Sequence, residues 1–367
     1  MKRLIPIAAF VFITVLAFAG RAATDEQPRF VNALLETRSA AGGLDHAVRA
    51  FVAGQENPAW MGYAVPTVDS RHTMRCDSSG DATGCCGRCA LESSRGHSWV
   101  EQDCSKGDCS ARLEGPRTLF VLLRAAERHI GPVRTFAGDC TIDAGGLRVL
   151  WLTDVKPADS VAMLATLVTP AGFDDRDSRT AAHGALAAIA LHADPAADRA
   201  LESFVAPSQP ERLRSQTSFW LGSARGASGL RLLERMAKDD PSTKVREQVA
   251  FAYSVSKEPA AMDDLIRLAK EDASGHVRGQ ALFWLAQKAG KRAAGVITEA
   301  IENDPDTAMK RSAVFALSQL PRDEGVPLLI QVARNNKNPD VRKQAFFWLG
   351  QTNDPRALGF FEEVLKK

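Results

Sequence analysis

The stretch Val277-Arg278-Gly279-Gln280-Ala281-Leu282-Phe283-Trp284-Leu285-Ala286 decides the fold, because its pattern returns at a fixed interval. The blocks Leu213 to Lys244, Val245 to His276, Val277 to Ala308, Met309 to Asp340 and Val341 onward align with a constant offset of 32 residues. Phe219, Phe251, Phe283, Phe315 and Phe347 then share one column. The column five places earlier holds Arg214, Arg246, Arg278, Lys310 and Arg342, and a loop column holds Asp240, Asp272, Asp304 and Asn336. A fixed period of this length marks a solenoid, whose units bury their apolar faces only against neighbours.

Each unit splits into two helices. In the first, the columns led by Val245, Val249, Ala252 and Tyr253 share one helical face. In the second, the columns Leu230/Met262/Ala294/Val326/Leu358, Leu233/Leu265/Ile297/Leu329/Phe361 and Ala237/Ala269/Ile301/Ala333/Leu365 form one stripe at i, i+3, i+7. A weaker copy runs from Arg179 to Val205, and residues 159–168 predict one more helix closing the stack. With Asp-Pro before the equivalent helices at 240 and 304, the pattern resembles HEAT repeats of the short, phycobilisome-lyase-like kind over residues 157–367. The resemblance implies an α-solenoid and leaves activity open, since such solenoids serve as scaffolds, lyases and glycosylases.

The N-terminal third is different in kind. Lys2 and Arg3, the apolar run Leu4 to Ala19 and the small residues around Gly20-Arg21-Ala22 form the tripartite pattern of a signal peptide over residues 1–22. That predicts a secreted or periplasmic chain with no membrane span after cleavage; an uncleaved anchor is the alternative. Over residues 23–55, the spacing of Phe30, Leu34, Leu35, Leu44, Val48 and Phe51 predicts one or two helices broken at Ala41-Gly42-Gly43. Residues 56–156 read as a Cys-rich β module. Runs at 118–124, 129–136 and 148–152 predict an antiparallel meander joined by a strand at 60–65, with Pro132 marking an edge or a bulge. The expected fold class is therefore α+β: a small antiparallel, Cys-rich β module followed by an all-α solenoid.

Charge narrows the partners. Lys+Arg 46 against Asp+Glu 44 becomes 43 against 44 once Lys2, Arg3 and Arg21 leave with the leader. A neutral chain has no field for a phosphate backbone, which argues against nucleic acid. The outward columns Arg235/Arg267/Glu299/Gln331/Glu363 and Lys238/Lys270/Glu302/Arg334/Lys366 mix their signs, as suits a protein or peptide partner. The Arg and Asp columns predict a ladder of charge-assisted hydrogen bonds between repeats, with Arg246 set against Asp240 and Arg278 against Asp272. Trp220, Trp284 and Trp348 alternate with Ala252 and Ala316 and read as core filler against the second helix, and the Phe column reads as inter-repeat packing.

The cysteines are the one place for chemistry. Cys76, Cys85, Cys86, Cys89, Cys104, Cys109 and Cys140 all precede the solenoid, and their odd count leaves at least one thiol free or paired with another chain. In an exported chain they predict disulfides. Cys86-x2-Cys89 followed by Cys104-x4-Cys109 also approximates a four-thiolate zinc site, with His72 and His97 nearby, and a redox pair is a third reading. Other templates fail: no His-Glu pair, no Gly-rich phosphate loop and no nucleophile elbow is present. His183 and His192, in an Ala-rich helix, read as structural. Two functions are expected from this sequence. One is an exported scaffold or adaptor for a protein or peptide, without catalysis of its own and without a cofactor. The other is an enzyme with a zinc or thiol site in the Cys76 to Cys140 module and the solenoid as substrate platform.

Overall fold

The computed structural model describes residues 26–68, 88–92, 118–137, 141–173 and 181–366. The leader lies outside these residues, as do the side chains of all seven cysteines; only the backbone of Cys89 is described.

Chain order begins with β1 (Arg29–Val31), β2 (Leu34–Ser39), α1 (Leu44–Ala53), β3 (Ala59–Pro66), β4 (Arg88–Ala90), β5 (Thr118–Ala126), β6 (His129–Ala137), β7 (Thr141–Asp143) and β8 (Arg148–Thr153). One sheet runs β2-β8-β3-β5-β6 and a smaller one β1-β7-β4. The larger sheet is mixed, which corrects the antiparallel expectation: β3-β5-β6 is antiparallel, while β8 pairs parallel with both β3 and β2. β6, the strand with Pro132, is an edge, where proline's missing N–H leaves no ladder bond unmade. Between β5 and β6 the chain reverses through Glu127 and Arg128, both at positive φ, and their N–H groups donate to the Glu56 and Gln55 carbonyls.

Residues 26–43 are a second correction. Phe30, Leu34 and Leu35 lie in strands, and only Leu44–Ala53 is helical. The apolar positions at 30, 34 and 35 are too few to fix a period, and the parallel ladder to β8 claims the backbone of β2.

Side chains alternate strictly across the central strands. Met61, Tyr63 and Val65 on β3, Leu119, Val121 and Leu123 on β5, and Leu150 and Leu152 on β8 face the helices. Trp60, Ala64, Phe120, Leu122, Val149 and Trp151 face the other way, under Phe30, Leu91 and Ile142 of the small-sheet side. Both faces are buried, so these strands read as unbroken apolar runs. At Gly62 a Cβ would lie 2.9 Å from both Leu122 and Trp151, so the absence of a side chain there makes room for the indole.

From Pro157 the chain is helical: α2 (Pro157–Leu167), a short 3-10 turn at Pro170–Phe173, then α3 (Ala181–Leu191) and α4 (Pro195–Phe204). Five helix pairs follow. The first helices are α5 (Glu211–Ala224), α7 (Thr243–Val255), α9 (Gly275–Lys288), α11 (Thr307–Ser318) and α13 (Pro339–Gln351), and their starts keep the 32-residue frame. The second helices are α6 (Gly226–Asp239), α8 (Ala260–Glu271), α10 (Lys291–Asn303), α12 (Arg322–Asn335) and α14 (Pro355–Leu365). First helices lie directly on one another, α5 on α7 and so on to α13. At Gly222 a Cβ would come within 2.2 Å of the Ala252 carbonyl oxygen, which shows how closely α5 and α7 approach.

The boundary at residue 156 is not a break in the core. The helix-facing side of the sheet and the interior of the repeats form one apolar cluster, in which Tyr63 and Val121 join Leu164, Leu186 and Ile189. Among the described residues, no helix is long and apolar enough to cross a membrane.

Candidate functional site

The first three residues of the Arg column are held in one way. Arg214 donates through Nε and Nη2 to the Asp240 carboxylate at 2.7 and 3.0 Å, Arg246 to Asp272 at 2.7 and 3.1 Å, and Arg278 to Asp304 at 2.8 and 2.9 Å. Nη1 of Arg246 and Arg278 reaches back to the backbone carbonyls of Asp240 and Asp272. The register expected from sequence is thus off by one rung: Arg246 takes the carboxylate of Asp272 and only the carbonyl of Asp240. An arginine in the first turn of a repeat points toward the loop that closes its own repeat. The Asp carboxylates also accept the N–H two residues on, at Ser242, Ser274 and Asp306. Lys310 reaches only the Glu302 carbonyl, and Arg342 the carbonyls of Asn336 and Lys337. The hydrogen bond to Asp272 holds the Arg246 guanidinium above its ordinary pKa, and Asp304 does the same for Arg278. With their carboxylates buried and every fork occupied, the upper rungs offer nothing to a ligand.

One Ser–His contact exists in the core. Ser160 on α2 lies 2.8 Å from both His192 Nε2 and the Tyr63 hydroxyl, and His192 Nδ1 lies 2.6 Å from the Ala188 carbonyl. A carbonyl only accepts, so Nδ1 carries the proton, Ser160 donates to Nε2 and Tyr63 donates to Ser160. Burial pushes the His192 imidazole down to about 4 and keeps it neutral. The three side chains are sealed from solvent, and this chain of hydrogen bonds ties β3 to α2 and to the end of α3. Arg225 closes the same junction, donating to the Ala190 and His192 carbonyls and to Asp198.

The aromatic columns are more open than expected. Phe219, Phe251, Phe283 and Phe315, with Trp220, Trp284 and Trp348, are half-buried, and Phe347 is 53% exposed. Their rings form one unbroken series along the first helices. Trp220 meets Phe219 at 5.1 Å between centroids, Phe219 stacks on Phe251 at 5.9 Å, and Phe251 meets Trp284 at 4.6 Å. Trp284 then meets Phe283 at 5.0 Å, Phe283 stacks on Phe315 at 5.7 Å, Phe315 meets Trp348 at 4.9 Å, and Trp348 meets Phe347 at 5.0 Å. The Phe column packs between repeats. The tryptophans pack against the core as expected but fill it only in part: they are half-buried, with phenylalanines of the first helices as ring partners, whereas Ala252 and Ala316 at the same position are fully buried. Glutamines flank the ridge at solvent-accessible positions: Gln216, Gln248, Gln280 and Gln344 lie three residues before four of the five phenylalanines, with Ser312 at the fifth, and Gln287, Gln319 and Gln351 lie four after the last three. Gln287 donates to Gln319 at 3.3 Å.

On the second-helix side the outward charges pair across repeats: Arg235 with Glu202, Lys270 with Glu299 and Arg334 with Glu363. Two clefts open between these helices, one of about 340 Å³ between α4 and α6 and one of about 680 Å³ between α6 and α8. The larger contains Asp264, which the sequence reading passed over. The signal was present: its column reads Leu232/Asp264/Val296/Leu328/Phe360, with one charge among apolar residues. Among the described residues, no group of His, Cys, Asp and Glu is arranged to hold a metal ion. The zinc candidates Cys86, Cys89, Cys104 and Cys109 lie outside the described side chains.

Residues 294–367 match the family model for HEAT repeats, and the 32-residue frame carries the same unit back to Glu211. Solved structures similar to this chain include human deoxyhypusine hydroxylase in complex with glycerol, 17% identical over 56% of this chain and 90% of that one, TM-score 0.29. Another is the CpcE–CpcF complex of phycocyanin lyase from Nostoc sp. PCC7120, 18% identical over 54% of this chain and 77% of that one, TM-score 0.28. No curated protein matches the sequence.

Proposed function

We propose that this HEAT-repeat chain is an exported scaffold or adaptor that docks an extended segment of another protein along the aromatic ridge of its first helices. The observation that carries the reading is the continuity of the half-exposed rings from Trp220 to Phe347, with glutamines before the ring in four repeats and after it in the last three. Rings supply apolar contact at low entropic cost, and a primary amide matches a peptide group because it both donates and accepts. Neutral amides suit a polypeptide backbone and bring no positive charge to neutralise a phosphate chain. Selection from a displayed peptide library tests this. Binders enriched in alternating apolar residues are expected, and they should be lost with Phe283→Ala and Gln280→Ala while the helical signal is kept. Binders indifferent to both substitutions would remove the ridge from the account.

Export and cystines belong to the same reading. The leader pattern and the confinement of cysteine to residues 76–140 support it. Backbone pairing of Arg88–Ala90 with Thr141–Asp143 supports a bridge from Cys140 to the Cys76–Cys89 stretch, because Cys140 directly precedes one of the two paired strands in sequence and that stretch runs into the other. Cys104 and Cys109, separated by four residues that include Gly107, would close a second. Non-reducing peptide mapping should find both, a third bridge within the earlier cluster, and one residual thiol among Cys76, Cys85, Cys86 and Cys89. Stoichiometric zinc on reduced Cys86, Cys89, Cys104 and Cys109 would instead favour the enzyme reading.

A further inference from the structure

The two clefts of the second-helix layer are the same cleft one repeat apart. Leu232, Arg235, Met236, Asp239 and Asp240 of the smaller correspond, at the 32-residue offset, to Asp264, Arg267, Leu268, Glu271 and Asp272 of the larger. The smaller is therefore a control built into the molecule, showing what the cleft is when it serves packing alone. There the apolar Leu232 lines it, and Arg235 pairs with Glu202.

In the larger cleft two apolar columns are broken together. Asp264 replaces the leucine. Tyr253, from α7, stands in a column otherwise made of Leu221, Leu285, Leu317 and Leu349. The consequences follow from the pairing. Arg267 turns to Asp264 Oδ1, so Glu234, the counterpart of Glu202, is left exposed and without an ion-pair partner among the described residues. Asp264 is 5% exposed, and its Oδ2 is buried with no hydrogen-bond partner in the protein. A carboxylate oxygen buried without a donor is a cost that a folded chain keeps where something offsets it. With Arg246 committed to Asp272, the lining carries three cations against four carboxylates, an excess of one negative charge. Burial and the charge on Asp264 hold the Tyr253 phenol neutral, so its oxygen adds no second anion.

We propose that the cleft between α6 and α8 binds an organic cation of the lysine or arginine type, with Asp264 and Glu234 receiving the charged head and Tyr253 beside it. Arg267, 55% exposed at its side chain, sits over the carboxylate as a displaceable internal cation. The head group can be the end of a side chain on a docked polypeptide or a free amine; the chemistry is shared. This inference does not rest on the aromatic ridge, which belongs to the opposite helix layer, and either can fail alone.

The chain has two tyrosines, which makes the test direct. With ring-labelled tyrosine, Tyr253 reports the cleft, while Tyr63, bonded to Ser160 in the sheet core, reports the fold. Titration of the full chain with butylammonium chloride should move the Tyr253 signal saturably and leave Tyr63 in place. Sodium butyrate at equal ionic strength should move neither. Glu234→Gln should weaken the response about tenfold, as loss of one charge-assisted hydrogen bond would. Asp264→Leu should abolish it, with an unmoved Tyr63 signal showing that the fold survives a residue already present at 232 and 328. N-acetyl-lysinamide binding more tightly than butylammonium identifies a polypeptide side chain as the natural source, and equal binding identifies the free amine. A Tyr253 shift that never saturates, or that persists in Asp264→Leu, overturns the proposal.

Discussion

His192 shows how one residue fixes a pH response. Its imidazole is neutral and sealed, with a pKa lowered from 6.5 to about 4. The unfolded chain therefore binds the extra proton first, and stability present above about pH 6.5 is lost as the pH falls toward 4. The shift corresponds to a loss on the order of 3 kcal/mol across that window. Asp354, held at about 2 by Arg356, acts only below it. Urea denaturation at pH 7 and 4.5 should show the loss, and His192→Gln should flatten it; equal slopes in both proteins would exclude His192 as the source. The half-exposure of Trp284 sets a second value. A fully buried tryptophan costs about 3–5 kcal/mol on truncation, so Trp284→Ala should fall at or below about 3 kcal/mol, measured by the same method. Helical period put Trp284 on the inward face correctly. It could not show that an indole is longer than the alanine slots of adjacent repeats.

At the scale of elements, the repeat frame placed all ten helices from Glu211 to Leu365, because a 32-residue period is a local signal repeated in register. β3, β5, β6 and β8 were legible as apolar runs, β1 and β2 read as helix, and the order of the sheet was illegible. The partner of β2 is β8, more than a hundred residues away, and nothing local encodes that parallel pairing. The ladder falls between: its columns were visible, but its rung register depends on loop geometry. Its energetics follow from burial. Arg278→Met leaves the nearly buried Asp304 without its counter-ion and should cost about 3 kcal/mol or more. Lys310→Met removes one exposed contact to a carbonyl and should cost below about 1 kcal/mol. Chemical denaturation followed by helical circular dichroism separates the two. Similar losses would mean that the rungs are held by packing and that charge is incidental.

For the whole molecule, the question is whether sheet and solenoid are two bodies. A reading by composition divides them at residue 156, where cysteine, glycine and β-branched runs give way to helices. The core ignores that division. The face of the sheet that carries Met61, Tyr63, Val65, Val121 and Leu150 is covered by the helices that begin the solenoid, where Leu164, Leu186 and Ile189 are fully buried. Hydrogen bonds cross the same junction: Val68 N–H to the Leu191 carbonyl, Ala193 N–H to the Pro66 carbonyl, and the Tyr63–Ser160–His192 chain. In a solenoid each repeat is stabilised chiefly by its neighbours, so the first repeat needs a cap. Here the sheet is that cap. A fragment of residues 157–367 should therefore expose the apolar sides of α2 and α3, bind a hydrophobic dye and lose the exchange protection of α2–α4, while α7–α13 keep theirs. In the full chain the amides of β3 and α3 should open together, with one protection free energy. If the fragment kept α2–α4 protected and bound no dye, the sheet would be an appended module after all, and the two halves of the chain would have to be assigned separate functions.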